Sequence, residues 1–218
     1  MNYDFRDYPD REMLAMDLAN QIAGELRAAL AHQERAAIAV PGGTSPGPVF
    51  DALCAADLDW SRVDVMLTDE RWVPETSERS NTRLLRERLL TDRAAAARFL
   101  PLYAEAEAPE GKLEELAADI EPALPLAVVL LGMGADMHTA SIFPGADKLE
   151  EALAPNAPIL LPMRAPGAQE PRITLSAHVL DGALKKHVLV YGSEKRDVLH
   201  KAQGLPTSEA PVNAILDG

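Results

Sequence analysis

Residues 126–145 have the sequence LAVVLLGMGADMHTASIFPG, in which glycines and polar residues follow an apolar run. The first six residues are all apolar, which is typical of a parallel strand that is buried on both faces. Two glycines then let the chain turn sharply and leave backbone N–H groups available. Asp136 and His138 follow, and Thr139 or Ser141 could cap a short helix. The segment predicts a functional site at the carboxyl end of a strand; the alternative is a tight turn with a solvent-exposed histidine.

Three more apolar segments end in a similar polar turn. They are AAIAV (36–40) before PGGTSP, VDVML (63–67) before TDERWVP, and KHVLVY (186–191) before GSEK. Helical patterns separate the strands, the most regular of them at residues 10–31, where apolar side chains recur at helical spacing. Alternating strands and helices predict an α/β fold with a mainly parallel sheet. The length favours one domain, covering residues 1–218.

Two further segments, residues 159–163 and 172–176, are also predicted strands. Pro162 places the first of them at the edge of a sheet, because proline cannot donate a ladder hydrogen bond. Arg172 begins the second, so its cation lies at a strand end.

The carboxyl ends of parallel strands meet at one edge of a sheet, so the polar turns at 41–45, 68–71, 132–138 and 192–195 should converge there. Cations and backbone N–H groups at this edge suit a phosphate dianion. The residues expected to bind phosphate are Gly42, Gly43, Thr44, Ser45, Arg71, Arg172 and Lys195. A lysine in the first turn of a helix is disfavoured by the helix dipole unless an anion shares the site, which supports the inclusion of Lys195.

Composition restricts the classes of partner and compartment. The formal net charge of −13 argues against nucleic acid or an anionic membrane as a partner, and an anionic substrate would need a local basic pocket. The one cysteine, Cys54, is expected to be a small buried side chain in a reducing compartment. The N-terminus lacks a signal-peptide pattern, and no apolar run approaches the ~20 residues that span a bilayer. We therefore expect the protein in the cytoplasm.

Several reaction classes lack their sequence signatures. The chain has no GxSxG motif and no Cys–His pair, which disfavours a covalent serine or cysteine mechanism. HxxxH and CxxC spacings are absent too, so we expect no metal, and nothing points to another cofactor. The reaction class that remains is acid–base chemistry on a small phosphorylated molecule.

Three motifs follow one another along the chain. They are PGGTSP (41–46), TDERWVP (68–74) with Ser80-Asn81, and GMGADMHTASIFPG (132–145), and they are followed by RITL (172–175) and GSEK (192–195). Together they resemble the 6-phosphogluconolactonase family, a relative of glucosamine-6-phosphate deaminase/isomerase. One position departs from the family pattern, because Met137 stands where the family usually has a glycine. A methionine there would be strained if the backbone needs a positive φ.

The resemblance implies a three-layer α/β/α, Rossmann-like fold of the glucosamine-6-phosphate deaminase/ribose-5-phosphate isomerase type. It also implies hydrolysis of 6-phospho-D-glucono-1,5-lactone to 6-phosphogluconate, the second step of the oxidative pentose phosphate pathway, without a cofactor. The partner would be this small sugar-phosphate lactone, and the chain would be a monomer or a weak homodimer.

His138 is the expected general base of this reaction, since imidazole changes its protonation near neutral pH. Asp136 or Asp69 would orient its ring or tune its charge. A lactone carbonyl is already electrophilic, so it needs only an activated water, stabilisation of the oxyanion and correct positioning.

The remaining site residues would bind the substrate. The backbone N–H groups of the Gly42-Gly43 loop, or the Arg71 guanidinium, would stabilise the oxyanion. Arg172 and Lys195 would hold the phosphate, with help from Arg71 and Ser45.

Two alternative functions are weighed against this one. Deamination and isomerisation of glucosamine 6-phosphate would move a proton between adjacent carbons, and related deaminases carry an acid shortly after the histidine segment, where this chain has SIFPG (141–145). A non-catalytic sugar-phosphate sensor would need a DNA-binding segment, and the N-terminal residues show no basic helix-turn-helix. Both alternatives are therefore less favoured.

Overall fold

The computed structural model describes residues 3–217, in which strands and helices alternate. In chain order the elements are α1 (Arg11–Leu30), β1 (Ala36–Val40), α2 (Gly47–Leu53), β2 (Val63–Leu67), β3 (Asp69–Arg71), α3 (Asn81–Arg88), β4 (Arg98–Phe99), α4 (Leu113–Ile120), β5 (Val128–Gly132), α5 (Leu149–Leu153), β6 (Leu160–Met163), β7 (Arg172–Leu175), α6 (Ala177–Asp181), β8 (Lys185–Leu189), α7 (Gly192–Ala202) and α8 (Asn213–Leu216). The predicted strands at 36–40 and 63–67 are confirmed, as is the helix predicted at 10–31.

Five parallel strands form the central sheet, in the order β4-β2-β1-β5-β8. Every residue of β1 and β2 is buried. Successive side chains of a strand point to opposite faces, so both faces of this sheet are covered by other elements. The predicted α/β class with a mainly parallel sheet as the middle of three layers is therefore confirmed.

The order of the strands reverses at β1. The chain adds β2 and then β4 on one side of β1, and it then adds β5 and β8 on the other side. The connections that leave β1 and β5 therefore run in opposite directions and open a crevice at the carboxyl ends of these two strands. Open α/β sheets bind their ligands in such crevices.

A second, smaller sheet is antiparallel, with the order β3-β7-β6. The polar turn predicted directly after β2 is in fact the strand β3, and the strands predicted at 159–163 and 172–176 belong to this sheet. Three charged residues have little strand propensity of their own, so their pairing with β7 determines the structure. Pro162 lies in the edge strand β6, as predicted, and Arg71 lies directly opposite Arg172.

Glu70 of β3 joins this sheet to α3. Its carboxylate is buried and accepts hydrogen bonds from the backbone N–H groups of Arg71 (2.8 Å), Asn81 (2.9 Å) and Thr82 (2.8 Å). Burial raises the pKa of the Glu70 carboxyl, and these hydrogen bonds oppose the rise. Glu70 thereby supplies acceptors for N–H groups that the first turn of α3 leaves open.

The short helix predicted near Thr139 and Ser141 is wrong. Thr139 forms an isolated antiparallel bridge with Ile142. The Thr139 hydroxyl donates to the carbonyl of Gly132 (2.8 Å), and the Ser141 hydroxyl donates to Asp69 (2.6 Å). Both hydroxyls therefore bind groups outside residues 139–142, and neither caps a helix.

The main hydrophobic core lies between the parallel sheet and the helices that pack on it. Ile22 and Leu26 of α1 and Ile38 of β1 are fully buried in it, and Cys54 is buried as predicted. Within residues 3–217, no helix combines the length and the apolar character that crossing a membrane requires.

Replacing Glu70 by alanine is expected to lower the free energy of unfolding by about 3 kcal/mol, because two buried N–H groups of α3 lose their acceptor. Chemical unfolding followed by circular dichroism measures the change. Glu87→Ala is the matched control, since Glu87 lies on α3 and pairs with Arg83 at the exposed surface. An exposed pair of this kind contributes less than about 1 kcal/mol. Equal losses in the two variants would contradict the capping role of Glu70.

Candidate active site

A tight turn after β5 brings Asp136 and His138 together. The N–H of Met137 donates to the carbonyl of Gly134 (3.0 Å), and the N–H of Gly134 donates to the carbonyl of His138 (2.9 Å). Asp136 Oδ1 accepts a hydrogen bond from the backbone N–H of His138 (3.1 Å) and also contacts His138 Nδ1. The imidazole is thus held through Nδ1, and Nε2 has no hydrogen-bond partner among residues 3–217.

Gly134 leaves the space that this arrangement needs. A Cβ atom at position 134 would lie 2.1 Å from His138 Nδ1 and 2.6 Å from Asp136 Oδ1. Burial opposes the ionisation of Asp136, but the hydrogen bonds from the His138 ring and backbone N–H outweigh it, so the pKa of the Asp136 carboxyl lies below its usual value. Asp136 is therefore ionised at neutral pH and can stabilise a protonated imidazole.

The ring of Phe143 lies close to both His138 and Arg172. The centroid of its ring lies 4.5 Å from that of the His138 imidazole and 5.6 Å from Arg172 Cζ. The imidazole and the Arg172 guanidinium are therefore separated by no more than the sum of these two distances. A sugar phosphate can span such a gap.

The cations form a cluster around Arg172. Arg71, its cross-strand partner, donates from Nη1 to the backbone carbonyl of Arg79 (2.8 Å). Arg172 is half-buried, and its Nε atom is buried without a hydrogen-bond partner in the part of the chain that the structure describes. Burial and the neighbouring charge of Arg71 lower the pKa of Arg172. A half-buried cation with an unpaired donor next to other cations favours an anionic ligand at this position.

Lys195 reaches the histidine turn from the first turn of α7, where the sequence predicts it. Its Nζ atom donates to the carbonyl of Met133 (2.8 Å). An ammonium group has three donors, and this bond uses one of them. Lys195 therefore brings a positive charge to the same turn that holds Asp136 and His138.

The glycine-rich turn after β1 borders the other side of the crevice. Gly43 has a φ of +80°, and a Cβ atom on Gly42 would lie 2.0 Å from the side chain of Asn81. Both positions therefore require glycine. Thr44 and Ser45 are exposed, and neither caps α2, so their hydroxyls face solvent at the crevice.

Asp69 lies deeper than Asp136. It is buried, and its carboxylate accepts hydrogen bonds from the hydroxyls of Thr68 (2.8 Å) and Ser141 (2.6 Å). No hydrogen bond joins Asp69 to His138 among the residues that the structure describes. Of the two acids expected to orient the imidazole, Asp136 is the one that contacts it, whereas Asp69 anchors the loop that follows the histidine.

One family profile matches the sequence over residues 9–218, that of the glucosamine-6-phosphate isomerases/6-phosphogluconolactonase. The chain belongs to this family. A 6-phosphogluconolactonase of Mesorhizobium japonicum is 44% identical over 224 residues, covering 99% of this chain and 91% of the relative. One of Pseudomonas aeruginosa is 43% identical over 209 residues, covering 93% and 86%. The crystal structure of a 6-phosphogluconolactonase from Shewanella baltica has a TM-score of 0.93 at 33% identity, covering 97% of this chain and 91% of that chain.

Met137, the departure from the family pattern noted above, has a φ of +68°. The position thus has the positive φ considered above, a conformation that methionine rarely adopts. The Met137 side chain packs against a small apolar cluster. The members of that cluster are Met133, Leu199, Ala202, Ala210 and Val212. The carbonyl of Met137 also accepts a hydrogen bond from the N–H of Val212 (3.1 Å), so the C-terminal segment supports the strained turn.

Sequence reasoning does not predict the contacts that three residues make in the site of this family member. Phe143 belongs to the SIFPG segment, where an aromatic residue close to a histidine is the available signal. Arg79 lies in a polar turn, and its position beside Arg71 depends on the fold of that turn. Ser141 has a hydroxyl whose partner is 72 residues away in the sequence, so no local pattern identifies it.

Two other features bear on the location of the site. A cavity of about 630 Å³ lies between the N-terminal segment 3–11, α1 and β8, and none of the predicted site residues lines it. Converging polar groups locate a site better than volume alone, which favours the crevice.

Within residues 3–217, no group of three or more His, Cys, Asp or Glu side chains is arranged to hold a metal ion.

The Asp136 carboxyl is expected to titrate below the usual aspartate value of about 3.9, and to titrate higher in His138→Ala, because burial remains while the ring hydrogen bond is lost. A lowered folded-state pKa means that the contact stabilises the fold above the unfolded-state pKa, and that this contribution is lost as pH falls through the lowered value. Carbon NMR of the carboxyl groups follows both titrations.

Glu110 is the internal control for this titration, since its hydrogen bond with Arg164 lowers its pKa independently of the histidine turn. The Glu110 titration should be the same in both proteins. An Asp136 titration that does not move in His138→Ala would show that the imidazole is not its partner.

Proposed function

We propose that this chain hydrolyses 6-phospho-D-glucono-1,5-lactone to 6-phospho-D-gluconate, in the oxidative pentose phosphate pathway. The observation that carries the proposal is an imidazole held by Asp136 and located close to Arg172, with the ring of Phe143 near both groups. Relatives more than 40% identical to the chain bear the name 6-phosphogluconolactonase, which supports the same substrate.

His138 acts as the general base. Its Nε2 atom removes a proton from a water molecule, and the water oxygen attacks the C1 carbonyl of the lactone. The charge that develops on the imidazole is stabilised by ionised Asp136, which contacts Nδ1. Asp136 thus selects the nitrogen that faces the water and keeps the ring oriented.

The tetrahedral intermediate then collapses with opening of the ring. Its oxyanion accepts hydrogen bonds from the backbone N–H groups of the Gly42-Gly43 loop, which border the same crevice. The bond between C1 and the ring oxygen breaks, and the proton held by His138 passes to that oxygen. This transfer regenerates the base, and the new carboxylic acid loses the second proton of the water to solvent, so the step needs no cofactor.

The phosphate group binds at the cation cluster. Arg71 and Arg172 supply guanidinium donors, and Lys195 adds charge on the side of the histidine turn. The hydroxyls of Thr44 and Ser45 complete the site from the glycine-rich turn. This local charge provides the basic pocket that an anionic substrate needs in a chain of net charge −13.

Two aspects of the proposed activity stay predictions. The reaction is expected in the cytoplasm, where the sugar phosphates of this pathway are found. The protein is expected to act as a monomer or a weak homodimer, as the family resemblance implies.

The purified chain is expected to release acid from freshly prepared 6-phosphogluconolactone well above the spontaneous rate. Unphosphorylated gluconolactone should be hydrolysed far less efficiently, because it leaves the cation cluster without its ligand. A pH-stat assay measures both rates. Ammonia release from glucosamine 6-phosphate would instead support the deaminase, and binding of sugar phosphate without turnover would support a sensor.

His138→Asn is expected to lower kcat by about 10²–10⁴-fold, the usual contribution of a general base. Binding of 6-phosphogluconate, measured by calorimetry, should remain, because the cation cluster is unchanged. His32→Asn is the matched control, since His32 is exposed in the turn after α1 and should keep full activity. Full activity in His138→Asn would exclude the assigned base.

A further inference from the structure

Glu170 carries a charge that the proposed reaction does not use. It lies in the loop before β7, and its Oε1 atom binds Arg79 Nε at 2.9 Å and Arg79 Nη2 at 2.8 Å. The Glu170 side chain is only 12% exposed, so this pair is more protected from solvent than an ordinary surface pair. The two residues are 91 positions apart, and their pair ties the turn before α3 to the loop before β7.

The turn before α3 and the loop before β7 each form a hydrogen bond with Arg71 or its neighbour Trp72. The carbonyl of Arg79 accepts a hydrogen bond from Arg71 Nη1 (2.8 Å). The carbonyl of Pro171, next to Glu170, accepts one from the N–H of Trp72 (2.8 Å). Arg79 therefore binds Glu170 through its side chain and Arg71 through its carbonyl.

Glu170 also balances charge in the cluster. Burial opposes its ionisation, but the hydrogen bond from Arg79 and the charges of Arg172 and Arg71 outweigh it and lower the pKa of Glu170. The carboxylate is thus ionised at neutral pH. Glu170 and Asp69 offset part of the positive charge of Arg71, Arg79 and Arg172, and the positive charge that remains favours an anionic phosphate group.

We propose that Glu170 is a positioning residue for the phosphate group of the substrate. It holds Arg79, and through the Arg79 carbonyl it holds Arg71, so that the Arg71 guanidinium is ordered before the substrate binds. Donors that are already ordered bind more tightly, because binding then costs less conformational entropy. This inference rests on the proposed function, since it assumes that the phosphate binds to Arg71 and Arg172.

Positioning and simple charge predict opposite results for Glu170→Gln. Glutamine has nearly the same size and keeps an acceptor oxygen, but it has no charge, so it weakens the bonds to Arg79 Nε and Nη2 and adds a net positive charge to the cluster. If charge alone governed affinity, the variant would bind phosphate more tightly. If the position of Arg71 governs it, the variant binds phosphate less tightly.

The test is a calorimetric titration of the full chain with 6-phosphogluconate. Glu170→Gln should raise Kd about tenfold, because Arg79 is then held by hydrogen bonds to a neutral acceptor, which are weaker than those to a carboxylate. In the lactonase assay, KM should rise by a similar factor with kcat nearly unchanged, because the reacting atoms are not affected. Hydrolysis of unphosphorylated gluconolactone should stay the same.

Two further variants control the test. Glu110→Gln makes the same charge change in an exposed pair with Arg164, which begins the same loop, and should leave Kd unchanged. The exchange variant Arg79→Glu/Glu170→Arg keeps the pair and the total charge, and it should restore Kd to near the wild-type value. Thermal unfolding of each variant identifies any loss of folded protein.

An unchanged or lower Kd in folded Glu170→Gln would overturn the positioning role. So would an exchange variant that unfolds like the wild type but binds as weakly as Glu170→Gln. Failure of the proposed function gives a different result, because the wild-type chain would then not hydrolyse 6-phosphogluconolactone above the spontaneous rate.

Discussion

A carboxylate and an imidazole two residues apart meet in the turn after β5, and the other parts of the site are arranged around this contact. The turn is costly, since Met137 (φ +68°) and Ala140 (φ +49°) adopt conformations that cost about 1–3 kcal/mol each. Packing of Met137 against the C-terminal cluster and its hydrogen bond from Val212 offset part of this cost. The C-terminal segment therefore supports the turn that carries the histidine.

The electrostatics of the site are local. The chain as a whole is strongly acidic, but exposed charges more than about 8 Å apart are largely screened at physiological salt. Arg71 and Arg172 face each other across paired strands, and the second sheet holds them there in spite of their repulsion. The antiparallel sheet thus supplies charge, and the parallel sheet supplies the crevice and the imidazole.

The sequence predicts the parallel strands well for a physical reason. Strands such as β1 are buried on both faces, so they contain no alternation and stand out as apolar runs. The contact between Asp136 and His138 is local and is also visible in the sequence. The strand β3 and the pair of Arg79 and Glu170 cannot be recognised in the sequence. The residues that pair are distant along the chain, and only the fold brings them together.

A crystal structure of the chain with bound 6-phosphogluconate tests most directly whether one crevice holds both ends of the substrate. The phosphate oxygens should lie within hydrogen-bond distance of Arg71 and Arg172, and the C1 carboxylate should lie next to Nε2 of His138. A phosphate bound elsewhere, such as in the cavity beside β8, or a C1 group remote from His138 would contradict this arrangement.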